Sequence, residues 1–291
     1  MSESNQTSSS GGSGEPPLYA PETGFSLFFK LFIIPAGIVA VALGIFLLGT
    51  IALQHPKNAS QYLEELKGDS TSKRWQAAYE LSRMLAQGEK IQFDDNLRAQ
   101  LVQTYADSKK DDPRIREYLA LVLGHLKEKT AVAALADGTK DESTDVKIYS
   151  LWALGNIEDP AGGPAALAAL NDPDAGVQRM AVGALSALKY APAKFPLEKN
   201  LGSPNQALKF DSAVALARLK DEAAVPVLME MLEMKATGEG AHDEIIQSAK
   251  LAAIEASEEL ASPKLRNQVA AMAKSEPDLK VRDAAIQALK K

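Results

Sequence analysis

Apolar positions recur at a fixed step through the middle of the chain. Four segments begin with an apolar side chain at residues 115, 146, 177 and 208, a constant step of 31 residues. Counted from that first residue, apolar or small side chains occupy positions 0, +4, +7, +8 and +11. This spacing is one face of an α-helix, so each segment is predicted to be a helix with one buried face. The equal steps indicate a row of stacked repeats.

A shorter helix is predicted before several of these helices. Apolar segments at residues 131–135, 164–170 and 224–228 each precede a longer one and predict a first helix packed antiparallel on the second. Proline followed by Asp or Asn lies between the two helices, where proline ends one helix and the polar residue caps the next. These prolines are Pro173, Pro204 and Pro277. The predicted fold is all-α, a solenoid of about seven helix pairs over residues 56–291.

The residue type at position +1 completes a pattern that resembles a known repeat family. Position +1 is basic in most repeats, and Gln178 breaks the series. The basic residues are Arg74, Arg116, Lys147, Lys209 and Arg282. Together with the acidic or proline-containing turns, the pattern resembles the HEAT repeat over about residues 60–291, and most closely the short HEAT-like variety of phycobilisome lyases. The resemblance implies that Asp112, Asp174 and Asp278 pair with basic residues at +1 and support neighbouring repeats.

The repeats at the two ends are less regular. A first repeat is predicted around residues 73–81 and a last repeat around residues 281–289. Between the regular repeats and the last repeat, one irregular repeat is predicted, with Ile245, Ile246, Leu251 and Ile254 in its second helix and a register that is ambiguous by one residue. An insertion is expected at residues 235–244, where the step lengthens. Three consecutive residues there, His242, Asp243 and Glu244, rarely converge on one metal ion, so a solvated loop is the preferred interpretation.

The N-terminal region has a different pattern. Leu31–Leu53 is an uncharged stretch of 23 residues, and a helix of that length spans about 34 Å, enough for a hydrocarbon core of about 30 Å. It predicts one transmembrane helix within residues 25–55. A cleaved signal peptide is the alternative, which the length and the lack of a basic residue before Lys30 disfavour. Residues 1–24, rich in Ser, Gly and Pro, are predicted to be a disordered tail.

The flanking charges bear on the membrane orientation. Four basic residues, Lys57, Lys67, Lys73 and Arg74, lie after the apolar stretch, whereas Lys30 alone precedes it. This bias slightly favours a cytoplasmic C-terminal domain of a single-pass protein, with the bacterial inner membrane as the expected location. The opposite orientation stays open, because N-terminal signal anchors commonly export the domain on their C-terminal side.

Small residues lie on one face of the predicted membrane helix. Ala36, Ala40 and Gly44 are spaced by four residues, which allows close approach of a second helix in lipid. These three residues are candidates for a helix–helix contact in the membrane. The alternative is ordinary composition, because Ala and Gly are common in membrane helices.

Composition excludes several function classes. With no cysteine, the chain forms no disulfide, no thiolate zinc site and no cysteine nucleophile. The net charge of −6 argues against nucleic-acid binding, which uses a basic surface. The sequence has none of the common phosphate-binding, dinucleotide-binding, zinc-protease or esterase motifs. We therefore expect no catalytic residue, no cofactor, no metal and no small-molecule substrate.

The remaining interpretation is a protein-binding surface. A solenoid usually works as an extended surface with a concave face, and positions +3, +6 and +10 lie on a flank away from the core. The candidate protein-binding residues on this flank are Tyr118, Tyr149, Trp152, Met180 and Arg218, since aromatic residues, Met and Arg are favoured at interfaces. The alternative is that these side chains pack against neighbouring first helices and are part of the core.

The sequence therefore predicts a membrane-anchored scaffold that docks an unidentified protein partner. The first alternative is an accessory subunit of a larger membrane assembly, for example a transporter. The resemblance adds a second alternative, an enzyme like the bilin lyases, although no residue marks a chromophore site.

Overall fold

The computed structural model describes residues 29–53, 59–89, 91–238 and 240–290. The predicted tail at residues 1–24 and both edges of the predicted membrane segment, residues 25–28 and 54–55, lie outside the described residues. The chain divides into two compact parts, residues 1–56 and residues 57–291. All regular elements within the described ranges are helical, which confirms the predicted all-α class.

The N-terminal part contains one apolar helix. A π-helical turn at Phe29–Ile33 leads into α1, Ile34–Leu53. Pro35 lies in the first turn of α1, where a missing N–H removes little hydrogen bonding. The described side chains of α1 are almost all exposed. By length and composition alone, the helical stretch Leu31–Leu48 could cross a membrane.

The C-terminal part consists of seven helix pairs. Each pair is one repeat, with a first helix and a second helix. The first helices are α2 (Ala59–Lys67), α4 (Asp95–Asp107), α6 (Val132–Gly138), α8 (Gly163–Ala169), α10 (Lys194–Asn200), α12 (Val225–Glu233) and α14 (Pro263–Ser275). The second helices are α3 (Thr71–Ala86), α5 (Pro113–His125), α7 (Thr144–Ile157), α9 (Ala175–Ala187), α11 (Gln206–Arg218), α13 (Gly240–Glu259) and α15 (Leu279–Ala288).

The second helices stack in one continuous row from α3 to α15. Each second helix packs against the next one and against the first helix of its own repeat. Glycine allows the closest approach in this row: a Cβ atom at Gly124 of α5 would lie 2.6 Å from Cζ3 of Trp152 on α7. Contacts between neighbouring repeats therefore hold the array together, as expected of a solenoid.

Burial confirms the predicted register of the second helices. In the repeat that begins at Val177, positions 0, +4, +7, +8 and +11 are all buried, and the same positions are buried in the repeat that begins at Val146. In the irregular repeat, Ile246 is 4% exposed and Ile245 is 60% exposed. Ile246 is therefore position 0 of α13, which resolves the one-residue ambiguity.

The acidic turn residues named in the sequence analysis have a different role from the one expected. Asp112, Asp174 and Asp278 do not pair with a basic residue at +1 of a neighbouring repeat. Each is the N-cap of its own second helix, where its carboxylate accepts a hydrogen bond from a backbone N–H group. Such caps satisfy N–H groups that have no partner within the helix. Asn205 caps α11 in the same way.

A ladder between repeats does exist, but it uses an acidic residue one or two positions before the cap. Arg74 pairs with Asp111 at 2.9 Å, and Lys147 pairs with Asp172 at 2.7 Å. Arg116 pairs with Asp141 in the same way, and in the irregular repeat Lys250, at position +4 of α13, pairs with Glu276. Arg116 is only 2% exposed, and removing one partner of a buried pair is strongly destabilising. The ladder is therefore structural.

The inserted segment is shorter than predicted. Helix α13 begins at Gly240, so His242, Asp243 and Glu244 lie in its first turns rather than in a loop. The carboxylate of Asp243 accepts hydrogen bonds from the backbone N–H groups of Thr237 (2.7 Å) and Gly238 (3.0 Å). Across the described ranges, no group of three or more His, Cys, Asp or Glu side chains is arranged to hold a metal ion.

Four successive second helices are followed by a residue with the same strained backbone conformation. Four residues at position +12, again 31 residues apart, have positive φ values between 47° and 59° although they are not glycine. They are Lys127, Glu158, Lys189 and Lys220. A left-handed residue directly after a helix lets backbone N–H groups reach the last carbonyl groups, a position that usually holds glycine.

We expect Lys220→Gly to stabilise the repeats. Glycine relieves the left-handed strain of about 1–2 kcal/mol. Part of this stabilisation is offset because glycine gives the unfolded chain more conformational entropy. We therefore expect the free energy of unfolding to rise by about 0.5 kcal/mol. Thermal unfolding followed by circular dichroism measures the change. Lys220→Ala is the matched control, because it removes the same side chain but keeps Cβ. An equal gain in both variants would show that the backbone is not strained at this position.

Candidate interaction surface

One side of the row of second helices remains partly open. Positions +2, +3, +6 and +10 of the second helices form this side, which we call the second-helix face. Its side chains are mostly half-buried: one edge packs on the hydrophobic core and the other reaches solvent. Aromatic and apolar side chains with this partial exposure, next to one another on successive repeats, form the type of surface that partners bind.

The first half of the second-helix face is aromatic. Tyr118, Tyr149 and Trp152, three predicted binding residues, are half-buried there. The rings of Tyr118 and Tyr79 meet edge-on with centroids 5.2 Å apart, and those of His125 and Trp152 meet similarly at 5.0 Å. Tyr79 was missed by the sequence reasoning because the first repeat is irregular. The aromatic side chains thus touch across repeat boundaries.

A depression lies beyond the aromatic half. At position +6, Trp152 is succeeded by Gly183 in the next repeat, and a Cβ at Gly183 would meet no atom within 4 Å. The resulting depression has a volume of about 510 Å³, and Met180, Val214 and Arg218 line it. The other lining residues are Ile148, Gly176, Arg179, Val182, Ser186, Asp211 and Ala252. It brings together the two remaining predicted binding residues, Met180 and Arg218.

Two ion pairs form the rim of the depression. Arg179 Nε lies 2.6 Å from Asp211 Oδ2, and Arg218 Nη2 lies 3.1 Å from Glu255 Oε1. Arg218 also donates to Ser186 Oγ at 3.5 Å. Both pairs are solvent-exposed, so they contribute little to stability. They balance the charge of the rim and leave the depression suited to an apolar side chain.

Two carboxylates lie near the tyrosines of the aromatic half. Burial, together with the nearby carboxylate of Asp145, raises the pKa of Glu117, although Ser143 Oγ donates a hydrogen bond to it at 3.4 Å. Burial also raises the pKa of the Tyr149 hydroxyl, and the charges of Asp145 and Glu117 raise it further, with Tyr118 contributing as well. The contact with Ser143 places Glu117 of α5 against the start of α7, the helix that carries Asp145 and Tyr149.

The small residues of α1 point into open space. Ala36 and Ala40 are exposed, Gly44 is half-buried, and a Cβ at Gly44 would meet no atom within 4 Å. Their contact with another membrane helix remains a prediction.

Comparison with known proteins identifies the repeats. A family model for HEAT repeats matches three overlapping stretches, residues 99–170, 135–207 and 163–240. HEAT repeats are therefore present in the chain, and they include α5, α7, α9 and α11, which carry most of the second-helix face. No curated protein sequence matches the chain.

Two solved structures are similar in fold. The complex of CpcE and CpcF of phycocyanin lyase from Nostoc sp. PCC7120 matches with a TM-score of 0.55 and 15% identity, over 81% of this chain and 96% of that chain. The Escherichia coli protein YibA matches with a TM-score of 0.51 and 18% identity, over 81% of this chain and 93% of that chain. At these identities the likeness concerns the fold, which is a HEAT-like helical solenoid.

Proposed function

We propose that the chain is a membrane-anchored scaffold that docks a partner protein on its second-helix face. The observation that supports this most is the depression over Gly183 beside the half-buried aromatic side chains. A few aromatic, Met and Arg side chains around a pocket commonly supply most of the binding energy at protein interfaces. The five residues proposed to bind the partner are Tyr118, Tyr149, Trp152, Met180 and Arg218.

Helix α1 would supply the membrane anchor. Confining the repeats to a membrane surface raises their effective concentration near membrane-bound partners without any new contact. In this proposal the protein is single-pass, the bacterial inner membrane is its location, and the flanking charges slightly favour cytoplasmic repeats. The CpcE–CpcF complex belongs to a phycocyanin lyase, but a fold shared at 15% identity carries no activity over to this chain.

Exchanging the membrane helix tests the proposal against the alternative of an accessory subunit. The full chain and a chain in which Leu31–Leu53 is replaced by an unrelated apolar helix are purified in parallel from membranes in mild detergent. A scaffold is expected to retain the same co-purifying partner after the exchange. Loss of the partner would favour a subunit whose membrane helix makes specific contacts. If neither chain retains a partner, protein docking is the wrong function.

We expect Trp152→Ala to weaken binding of the co-purified partner by about tenfold or more, because truncating an interface tryptophan commonly costs more than 1 kcal/mol. Helicity should be nearly unchanged, because the ring is only half-buried. The measurement is partner recovery across a dilution series. Phe195→Ala is the matched control, since Phe195 is an aromatic residue that is 64% exposed on the first helix α10. Equal losses in both variants, or a large drop in melting temperature without a specific binding defect, would place Trp152 in the core.

A further inference from the structure

The aromatic half of the second-helix face contains negative charge that no cation neutralises. Glu117 of the second repeat lies against the start of α7 in the third repeat, where Ser143 Oγ donates to its carboxylate at 3.4 Å, two residues before Asp145. Among the residues that the structure describes, neither carboxylate has a Lys, Arg or His nitrogen within 4 Å. Two other carboxylates at repeat boundaries are paired with lysine, Asp172 with Lys147 and Glu276 with Lys250. Glu117 and Asp145 differ from these two in having no such partner.

The cation that acts on Glu117 is already held elsewhere. Arg114 donates from Nε to Asp112 Oδ1 at 2.9 Å and from Nη2 to Oδ2 at 2.6 Å. Its guanidinium also lies 4.4 Å from the centroid of the Trp75 ring. A bidentate pair with an additional aromatic contact is a strong arrangement for arginine. The structure thus places Arg114 on Asp112 and Trp75 rather than on Glu117, and the negative charge stays open to an external cation.

The tyrosines beside the two carboxylates favour a cation of a particular kind. Tyr118 follows Glu117 on α5, Tyr149 lies one helical turn after Asp145 on α7, and both tyrosines are half-buried. Aromatic rings attract Lys and Arg side chains, whose apolar stems pack on the ring while the charge meets the carboxylate. The chain also carries a net charge of −6, which attracts basic partners at long range.

The depression over Gly183 provides a second contact at a definable separation. Its lining extends from Ile148 on α7 to Ala252 on α13, and its centre, between Gly183 and Val214 of the fourth and fifth repeats, is about two helix steps beyond the Glu117–Asp145 pair. Packed helices lie about 8–10 Å apart, so the two positions are about 16–20 Å apart. An extended chain advances about 3.3 Å per residue, so five to six residues cover this separation.

We propose that the second-helix face binds an extended segment of a partner protein in which Lys or Arg is separated by five to six residues from Leu, Met or Phe. The basic side chain lies between Tyr118 and Tyr149 and pairs with Glu117 and Asp145, and the apolar side chain fills the depression over Gly183. This inference rests on the proposed docking function and specifies the chemistry of the docked segment.

Selection from a random peptide library tests this. The full chain in detergent is presented with a library of randomised twelve-residue peptides, and the enriched sequences are read. We expect enrichment of a basic residue five to six positions from Leu, Met or Phe. The double variant Glu117→Gln, Asp145→Asn should lose the basic preference, and Gly183→Leu should lose the apolar preference. Glu142→Gln is the control, because Glu142 is an exposed carboxylate in the turn before α7.

Affinities of one enriched peptide separate direct contact from indirect effects. The double variant should weaken its binding by about tenfold, and replacing the basic residue of the peptide by Gln should produce no further loss on that variant. The double variant should melt no lower than the wild type, because it removes charge repulsion, whereas a purely structural role for the carboxylates predicts a lower melting temperature.

Other outcomes overturn the inference in distinguishable ways. Enriched peptides without the basic and apolar pair, or with affinities unaffected by the variants, would overturn it and leave the docking function standing. Acidic peptides would point to the Arg179 and Arg218 rim instead. If no peptide is enriched but a partner co-purifies, the partner docks through a folded surface rather than an extended segment. If that partner is a second copy of this chain, the face mediates self-association. No enrichment and no partner would overturn both proposals.

Discussion

Leu154→Asp is expected to unfold the central repeats. Leu154 is 1% exposed, and its Cδ2 atom lies only 3.0 Å from the position of a Cβ at Gly162. The substitution buries a carboxylate with no cation in place of an apolar side chain, which costs at least about 4 kcal/mol. Because a domain is stable by only about 5–15 kcal/mol, we expect the cooperative thermal transition to be lost or lowered by more than about 10 °C.

Circular dichroism of the full chain in detergent measures this effect. Two controls accompany it: Leu154→Met, a volume-conserving change that costs less than about 1.5 kcal/mol, and Ala133→Asp, which places the same carboxylate at an exposed position of α6. Both should melt near the wild-type temperature. A Leu154→Asp variant that melts with them would contradict the buried register of α7.

Gly183→Leu is expected to weaken partner docking by about tenfold or more while making the protein more stable. A Cβ at Gly183 would meet no atom within 4 Å, so a side chain can be added there, and the longer leucine extends into the depression. Glycine is a poor helix former, and its replacement in the middle of α9 should add about 0.8 kcal/mol. The new side chain occupies the space proposed for the partner, and we expect a loss of affinity of about tenfold or more.

The opposite signs of the two effects make this variant informative. A variant that binds less because it is partly unfolded must also melt earlier, whereas Gly183→Leu should melt later. Gly183→Ala is the matched control, because it supplies the same backbone effect and leaves most of the depression open. Thermal melting and partner recovery are measured on all three proteins. Unchanged partner recovery with Gly183→Leu would show that the depression is not used.

Periodicity was sufficient to predict the repeats. The 31-residue step identifies which face of each second helix is buried, because every repeat must present the same face to its neighbours. Val146, Leu154, Val177 and Leu185 are all buried as predicted. Turn chemistry was sufficient for the N-caps at Asp174 and Asn205, since these contacts are local in the sequence.

Contacts between repeats were harder to predict. The partner of Lys147 is Asp172 rather than the helix cap Asp174. Whether Lys147 reaches Asp172 or Asp174 depends on how far one repeat is shifted along its neighbour. The 31-residue period in the sequence gives no information about that shift. The depression was not predicted for the same reason, because it also depends on how the repeats stack. Gly183 is visible in the sequence as a small residue, but Val214 and Ala252 line the space beside it only because the fifth and sixth repeats stack there.

The dependence of each repeat on its immediate neighbours has a mechanical consequence. No strand or disulfide ties distant repeats of the described chain together, so tension applied between its ends would be resisted by one repeat boundary at a time. Unravelling 31 residues would lengthen the chain by about 90–100 Å, given about 3.3–3.6 Å per extended residue less the thickness of the lost repeat. A force applied to such an array would extend it in steps, and the array would act as a series of elastic links between its two points of attachment.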